Sequence, residues 1–186
     1  MLACPSPPRW LAHALTDLDT LLLDHAHCER KAASTVLGFS FRVPEMDFAA
    51  QMSRLAREEL THFEMALREL RRRGRPFTKL TPAAYAERLS AGMRRKVVEE
   101  AMVDNLVVAA LIEARSHERL KLLADAVPDP DLRVFYTVLV EAEERHASQL
   151  LALAQRWGDP ADRLGYFAAR EAEIITLGED HVRMHA

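Results

Sequence analysis

The sequence of 186 residues has few of the features that mark disulfide-rich, metal–thiolate or membrane-spanning proteins. Its two cysteines, Cys4 and Cys28, form no CxxC motif, so neither a disulfide framework nor an iron–sulfur site is expected. No apolar run reaches the roughly 18 residues that a membrane span needs. The net charge of −3 gives no strong sign of nucleic-acid binding. Because the N-terminal stretch also lacks the apolar core of a secretory signal, we expect a cytoplasmic protein.

Apolar residues recur with helical periodicity, and strand-like alternation is missing. The pattern predicts four long helices, a shorter fifth helix and a polar tail, with the helices over about 8–39, 47–73, 92–124, 130–157 and 161–177. Thr81 and Pro82 are typical of an N-cap and first residue, so a further short helix is expected between the second and third. Two hairpins joined by one long crossover are typical of ferritin-like bundles. We therefore predict an all-α, ferritin-like four-helix bundle with an extra C-terminal helix, forming a single domain over 1–186.

A glutamate interrupts the apolar stripe of each long helix, although an ionised carboxylate is costly to bury without compensation. Two of these glutamates begin Glu-x-x-His units, which read "ELTH" from Glu59 and "EERH" from Glu143. Residues three apart point to nearly the same side of a helix, so each pair can reach one point. The other two are Glu29 and Glu113, and each precedes its Glu-x-x-His unit by 30 residues. The same ligand pattern therefore occurs once in each hairpin.

Six side chains would converge if the two hairpins pack together. Four carboxylates offset the charge of two divalent ions, and oxygen-rich ligation with two imidazoles favours iron or manganese. We predict that the terminal ligands are Glu29 and Glu113, that the bridging ligands are Glu59 and Glu143, and that His62 and His146 each bind one ion. Catalysis would proceed through this centre. His25 and His117 lie four residues from Glu29 and Glu113, respectively, so they are either partners of the ligands or ordinary buried histidines.

Several stretches resemble the tRNA 2-methylthio-N6-isopentenyladenosine hydroxylases, the MiaE family, over most of the chain. The most specific of them read "DHAHCERKAAS", "RLAREELTHFE" and "LIEARSHER". The resemblance implies that the same six residues bind two iron ions. It also implies an O2-dependent non-haem di-iron monooxygenase that hydroxylates the isopentenyl side chain of a hypermodified adenosine beside the tRNA anticodon. The chain departs from the family at His27, where members carry Asn, and at His117, where members carry Cys.

Basic residues near the crossover are candidates for holding an anticodon stem-loop. The alternative is that they are solvated side chains at helix ends. The chain has no flavin motif and no iron–sulfur cysteines, so we expect an external electron donor such as a ferredoxin or reductase. We expect a monomer or a small homo-oligomer. The predicted tRNA-binding residues are Arg71, Arg72, Arg73, Arg75, Lys79, Arg94, Arg95 and Lys96.

The ligand types leave other functions open. A ferritin-like ferroxidase or a manganese catalase acting on a small substrate would use the same six residues. A rubrerythrin-like peroxidase is disfavoured, because its CxxC electron-transfer domain is missing. A metal-free helical interaction module would have a melting temperature that chelators leave unchanged, whereas a metal centre stabilises the folded state.

Overall fold

All regular secondary structure of the protein is helical in a computed structural model that describes residues 1–186. This confirms the all-α prediction. No helix is long and apolar enough to cross a membrane. The seven helices are α1 (Pro8–Ala14), α2 (Leu18–Ser40), α3 (Met46–Arg72), α4 (Tyr85–Ser90), α5 (Val98–Ala126), α6 (Pro130–Ala154) and α7 (Ala161–Leu177).

The chain divides into two compact units, each built around one helical hairpin. In the first-hairpin unit α2 packs along α3, and in the second-hairpin unit α5 packs along α6. In the second-hairpin unit α1 and α7 also contact α5, and α4 contacts α5 and α7. The single-domain organisation stays a prediction. The first-hairpin unit comprises 16–82 and 182–184, and the second comprises 1–15, 83–181 and 185–186.

The prediction of one continuous helix over 8–39 is wrong, because α1 and α2 are separate. Asp17 is the N-cap of α2 and has non-helical backbone angles, with φ −148° and ψ 80°. Its carboxylate accepts hydrogen bonds from the backbone N–H of Thr20 at 3.0 Å and from the Thr20 hydroxyl at 2.7 Å. A capping side chain satisfies the N–H groups at a helix start in place of a preceding turn. Apolar periodicity continues through this break and so does not reveal it.

The predicted starts of two other helices are also wrong. The third long helix begins at Val98 rather than near 92, because Arg94 folds back and its backbone N–H donates to Asp104 at 2.7 Å. The short crossover helix exists, but it begins at Tyr85. Thr81 is not its N-cap; its carbonyl instead accepts hydrogen bonds from a C-terminal arginine. At both helix starts, a hydrogen bond to a distant residue keeps the preceding backbone out of the helix that the local sequence pattern predicts.

The ends of the helices follow the sequence signals more closely. The predicted fifth helix, 161–177, agrees with α7, and Gly178 beyond it has a φ of 68°. Helix α3 ends just before Gly74, which has a φ of 66° that favours glycine. The fourth long helix ends at Ala154, three residues before the predicted Trp157, which lies in a turn.

The predicted polar tail is partly buried. In the first-hairpin unit Met184 is fully buried, and its backbone N–H donates to the Asp24 carboxylate at 2.8 Å. In the second-hairpin unit the His185 ring stacks on Tyr85, with 4.9 Å between the ring centroids. The Nε2 atom of His185 lies 3.2 Å from the Ser116 hydroxyl. The last residues are therefore part of the packed structure.

Candidate metal centre

The first-hairpin unit brings three predicted ligands together in its dry interior. Glu29 lies on α2, and Glu59 and His62 lie on α3, with exposed fractions of 5%, 1% and 8%. The Nδ1 atom of His62 lies 3.5 Å from Oε2 of Glu29 and 3.7 Å from Oε2 of Glu59. Hydrogen bonds of this type are about 2.7–3.2 Å long. Two ligand atoms that bind the same ion, each at about 2.1 Å, lie roughly 3–3.5 Å from each other. The spacing fits ligands around a common ion better than direct hydrogen bonding.

His25 lies beside the carboxylate of Glu29. Its Nε2 atom lies 2.5 Å from Oε1 of Glu29, one turn along α2, and the imidazole is almost completely buried. One oxygen of Glu29 therefore faces His25 while the other faces His62. A partner of this kind fixes the orientation of a ligand carboxylate. The structure thus places His25 beside a predicted ligand, and its effect on a metal stays a prediction.

The second-hairpin unit buries the other three predicted ligands. Glu113 on α5 and Glu143 and His146 on α6 are all buried, with His146 fully so. The neighbouring Glu141 and Glu144 are exposed, so the carboxylates of α6 lie on two faces of the helix, one buried and one exposed to solvent. This division follows from the helical period. The burial expected for all six predicted ligands is confirmed, and their assignment as ligands stays a prediction.

His117 contacts the backbone of the neighbouring helix. Its Nδ1–H donates to the carbonyl of Val140 at 2.9 Å, because a carbonyl can only accept. The ring is half-buried and is tied to α6 by this bond. The structure thus places His117 against α6, and its role beside the predicted ligands stays a prediction.

Four buried residues offer the ligand atoms that a metal ion needs. Carboxylates and imidazoles match the preferences of iron and manganese. Buried ionised carboxylates are costly unless cations or metals compensate them. The chemistry of the donor set therefore fits a metal centre. These residues are Glu59, His62, Glu143 and His146.

Half of the predicted tRNA-binding cations are paired with carboxylates. The Arg72 guanidinium donates to Glu69 at 2.8 Å. Arg73 and Arg75 both donate to Asp19 at 2.5 Å. Burial would raise the pKa of the Asp19 carboxyl, but the hydrogen bonds and charges of the two arginines lower it overall. Arg73 and Arg75 therefore connect the end of α3 and the residues after it to α2.

Arg94 is paired as well, since its guanidinium donates to the buried Asp104 at 2.8 Å. The other four predicted cations are exposed and make no ion pair with an acidic side chain. These four are Arg71, Lys79, Arg95 and Lys96.

Comparisons with known proteins identify the family. The family model described as tRNA-(MS[2]IO[6]A)-hydroxylase (MiaE) matches residues 1–186. The chain is 42% identical over 192 residues to a tRNA 2-(methylsulfanyl)-N(6)-isopentenyladenosine(37) hydroxylase of Pseudomonas putida, covering 100% of this chain and 91% of the relative. It is 32% identical over 237 residues to the Salmonella typhimurium hydroxylase of the same name, covering 100% and 87%.

A solved structure has the same fold. It is a Synechococcus protein with aldehyde deformylating oxygenase activity, which superposes with a TM-score of 0.93 at 38% identity and covers 100% of this chain and 95% of its own. This likeness and the helix order confirm the predicted ferritin-like class. A family match over the whole chain, together with two relatives above 30% identity, shows that the protein is an enzyme of the MiaE family of tRNA hydroxylases.

Proposed function

We propose that this chain is an O2-dependent di-iron monooxygenase that hydroxylates the isopentenyl side chain of 2-methylthio-N6-isopentenyladenosine in tRNA. The observation that carries the proposal is the buried group formed by Glu29, Glu59 and His62 in the first-hairpin unit. Two relatives that span the whole chain carry the name of this activity. Family and donor chemistry thus support the same reaction.

In this proposal each hairpin contributes an equivalent half of one dinuclear centre. Each half supplies one lone glutamate and one Glu-x-x-His unit. The total charge of four carboxylates, about −4, balances that of two divalent ions, so the ions make burial of the carboxylates tolerable. The halves are Glu29, Glu59 and His62, and Glu113, Glu143 and His146.

The chemistry of the substrate explains why such a centre is required. The prenyl C–H bond has no acidic proton, so side-chain acids and bases cannot oxidise it. Bound iron ions supply the redox chemistry that inserts one oxygen atom from O2. The balance is substrate C–H, O2, two electrons and two protons giving substrate C–OH and water. The electrons come from an external donor, such as a ferredoxin or reductase.

The residues of the chain hold the ligands and exclude water. His25 fixes one oxygen of Glu29 and leaves the other directed to His62. Leu22 and Ala26, about two turns and one turn before Glu29 on α2, are fully buried. A dry, apolar surrounding protects the reacting group from side reactions with water.

The RNA contact that we propose uses the exposed cations without acidic partners, Arg71, Lys79, Arg95 and Lys96. Phosphate attraction depends on charge that is not already neutralised. The modified adenosine must leave its stack to reach a buried centre, and enzymes that act on bases commonly unstack them. The paired arginines, such as Arg73 and Arg75, contribute less to this attraction.

The deciding experiment is nucleoside mass spectrometry of prenylated tRNA that has been incubated with iron-loaded, reduced protein and O2. We expect a gain of one oxygen on the prenylated adenosine. Glu59→Ala should abolish the gain, and Glu144→Ala should retain it, because Glu144 is exposed on α6. If wild-type protein consumes O2 but the prenylated adenosine gains no oxygen, the proposed substrate is refuted.

A second candidate is an oxygenase that acts on an aldehyde. The Synechococcus protein with aldehyde deformylating oxygenase activity, at 38% identity over the whole chain, favours it. The same iron-loaded protein should then remove the formyl group from an aldehyde substrate and leave tRNA unchanged. Comparing both substrates in one preparation separates the two functions.

A further inference from the structure

A group of aromatic and cationic side chains on the first hairpin combines two exposed members, Arg30 and Phe77, with two half-buried ones, His27 and Phe63. We call His27, Arg30, Phe63 and Phe77 the stacking cluster. The ring of Phe77, in the crossover after α3, lies 4.5 Å from the His27 ring and 5.4 Å from the Phe63 ring, measured between centroids. The Arg30 guanidinium lies over the Phe77 ring, 5.3 Å from its centroid. The crossover is thereby held against both helices.

Hydrogen bonds fix the orientation of the Arg30 guanidinium. Nε2–H of His27 donates to the carbonyl of Thr78 at 2.8 Å, since a carbonyl oxygen can only accept. Nδ1 of the neutral ring is then the acceptor for Nη2 of Arg30, at 3.2 Å. A histidine thus links the crossover backbone to the guanidinium that covers Phe77. The planar groups are preorganised before any ligand arrives.

The stacking cluster lies close to the predicted metal ligands along both helices. Arg30 directly follows Glu29, and Phe63 directly follows His62. Successive residues of a helix point about 100° apart, so the ligand and its neighbour occupy different faces of one helix. An α-helix with side chains is about 10–12 Å across. The cluster is therefore within about one helix width of the ligands, on the solvent side.

The charge of the stacking cluster is not neutralised. Arg30 is exposed and makes no ion pair with an acidic side chain, in contrast to Arg73 and Arg75. Lys79, two residues after Phe77, is also exposed without an acidic partner. Phe77 itself is 37% exposed. An aromatic ring, a guanidinium plane and free cations are the groups with which proteins hold unpaired bases of single-stranded RNA.

We propose that the stacking cluster binds an unstacked base of a single-stranded RNA loop. The base stacks on the outer face of the Arg30 guanidinium, which the Phe77 ring supports from beneath, while Lys79 lies near its phosphate. The inference rests on the proposed function, because it assigns this site to a nucleotide that flanks the modified adenosine. The contact is to a π face rather than to base edges, so it tolerates different bases.

The test is the affinity of iron-loaded protein for a fluorescent anticodon stem-loop RNA, measured by anisotropy at several salt concentrations. Phe77→Leu removes the aromatic plane, and Arg30→Lys keeps the charge but removes the guanidinium plane. Each should weaken binding about tenfold, equivalent to about 1.4 kcal/mol, with an unchanged salt slope. Phe41→Leu and Arg42→Lys are the controls, since both side chains are exposed at the end of α2 and Phe41 is 84% exposed.

Several results would overturn the inference. Affinities of Phe77→Leu and Arg30→Lys within about twofold of the controls would exclude stacking. Full affinity in Arg30→Lys, with a shallower salt slope in Arg30→Gln, would show a phosphate contact instead. Wild-type protein that hydroxylates tRNA while these variants bind normally would leave the proposed function intact and remove only the stacking site. Wild-type protein that neither binds nor modifies the RNA would remove both.

Discussion

A buried ion pair in the second-hairpin unit gives a sharp test of how its helices are held. Arg115 on α5 is fully buried and donates two hydrogen bonds of 2.8 Å to Glu171 on α7. The same guanidinium donates to Glu118 at 2.5 Å and to the carbonyl of Cys4 at 2.9 Å. Glu171 is fully buried, and Tyr85 donates to it at 3.1 Å. One cation therefore satisfies acceptors from α5, α7 and the N-terminal segment.

Arg115→Met should lower the free energy of unfolding by about 3–5 kcal/mol, because it leaves Glu171 buried without its counter-ion. Tyr85 alone cannot compensate an ionised carboxylate. The double variant with Glu171→Leu removes both charges, so it should be more stable than Arg115→Met. The coupling between the two positions should reach about 2 kcal/mol or more. Lys121→Met, at an exposed position of α5, should change stability by no more than about 0.5 kcal/mol.

Urea unfolding followed by circular dichroism at neutral pH, with a chelator present in every sample, measures these differences without a contribution from metal. A loss below about 1 kcal/mol for Arg115→Met would show that the pair does not hold α7 on α5. A double variant as unstable as the sum of the two single variants would show that the two side chains act independently. Either result would refute the reasoning.

Three further predictions concern metal binding, the tail and acid stability. Glu143→Ala should reduce iron affinity by more than about tenfold, since loss of a ligand's partner alone costs roughly 10–100-fold. The control variant Glu144→Ala should still bind two irons. Metal analysis after desalting measures the difference, and equal iron content in the two variants would exclude Glu143 as a ligand. Met184→Ala should cost about 2–5 kcal/mol of stability because the Met184 side chain is fully buried. The control Met46→Ala, at an exposed position, should cost little. Similar melting temperatures of the two variants would show that the C-terminal tail is not docked. Burial raises the pKa of the Asp104 carboxyl, but hydrogen bonds from two arginines lower it overall. The stability that ionised Asp104 gives to the folded state is therefore present above its unfolded pKa of about 4. It is lost as pH falls through the lower folded value. The stability difference between wild type and Asp104→Asn should therefore be constant near neutral pH and shrink in acid, and a difference that grows in acid would reverse the assigned sign.

The pattern of the six predicted ligands and the long helices could be read from the sequence, because both depend on local spacing. An apolar stripe with a period of 3.6 residues predicts a helix and the face that it buries. Glu29 and Glu143 lie on such stripes, so their burial followed from the pattern. The matching interval of 30 residues in both hairpins predicts one repeated ligand set.

The tertiary structure alone decided which polar groups meet. Asp19 accepts hydrogen bonds from Arg73 and Arg75, which lie 54 and 56 residues further along the chain. His27 similarly bonds Thr78 across 51 residues. No local period relates such positions, because their contact depends on how the hairpin packs and where the crossover returns. Sequence spacing therefore determined which faces of the helices are buried, and packing determined which cations are paired with carboxylates.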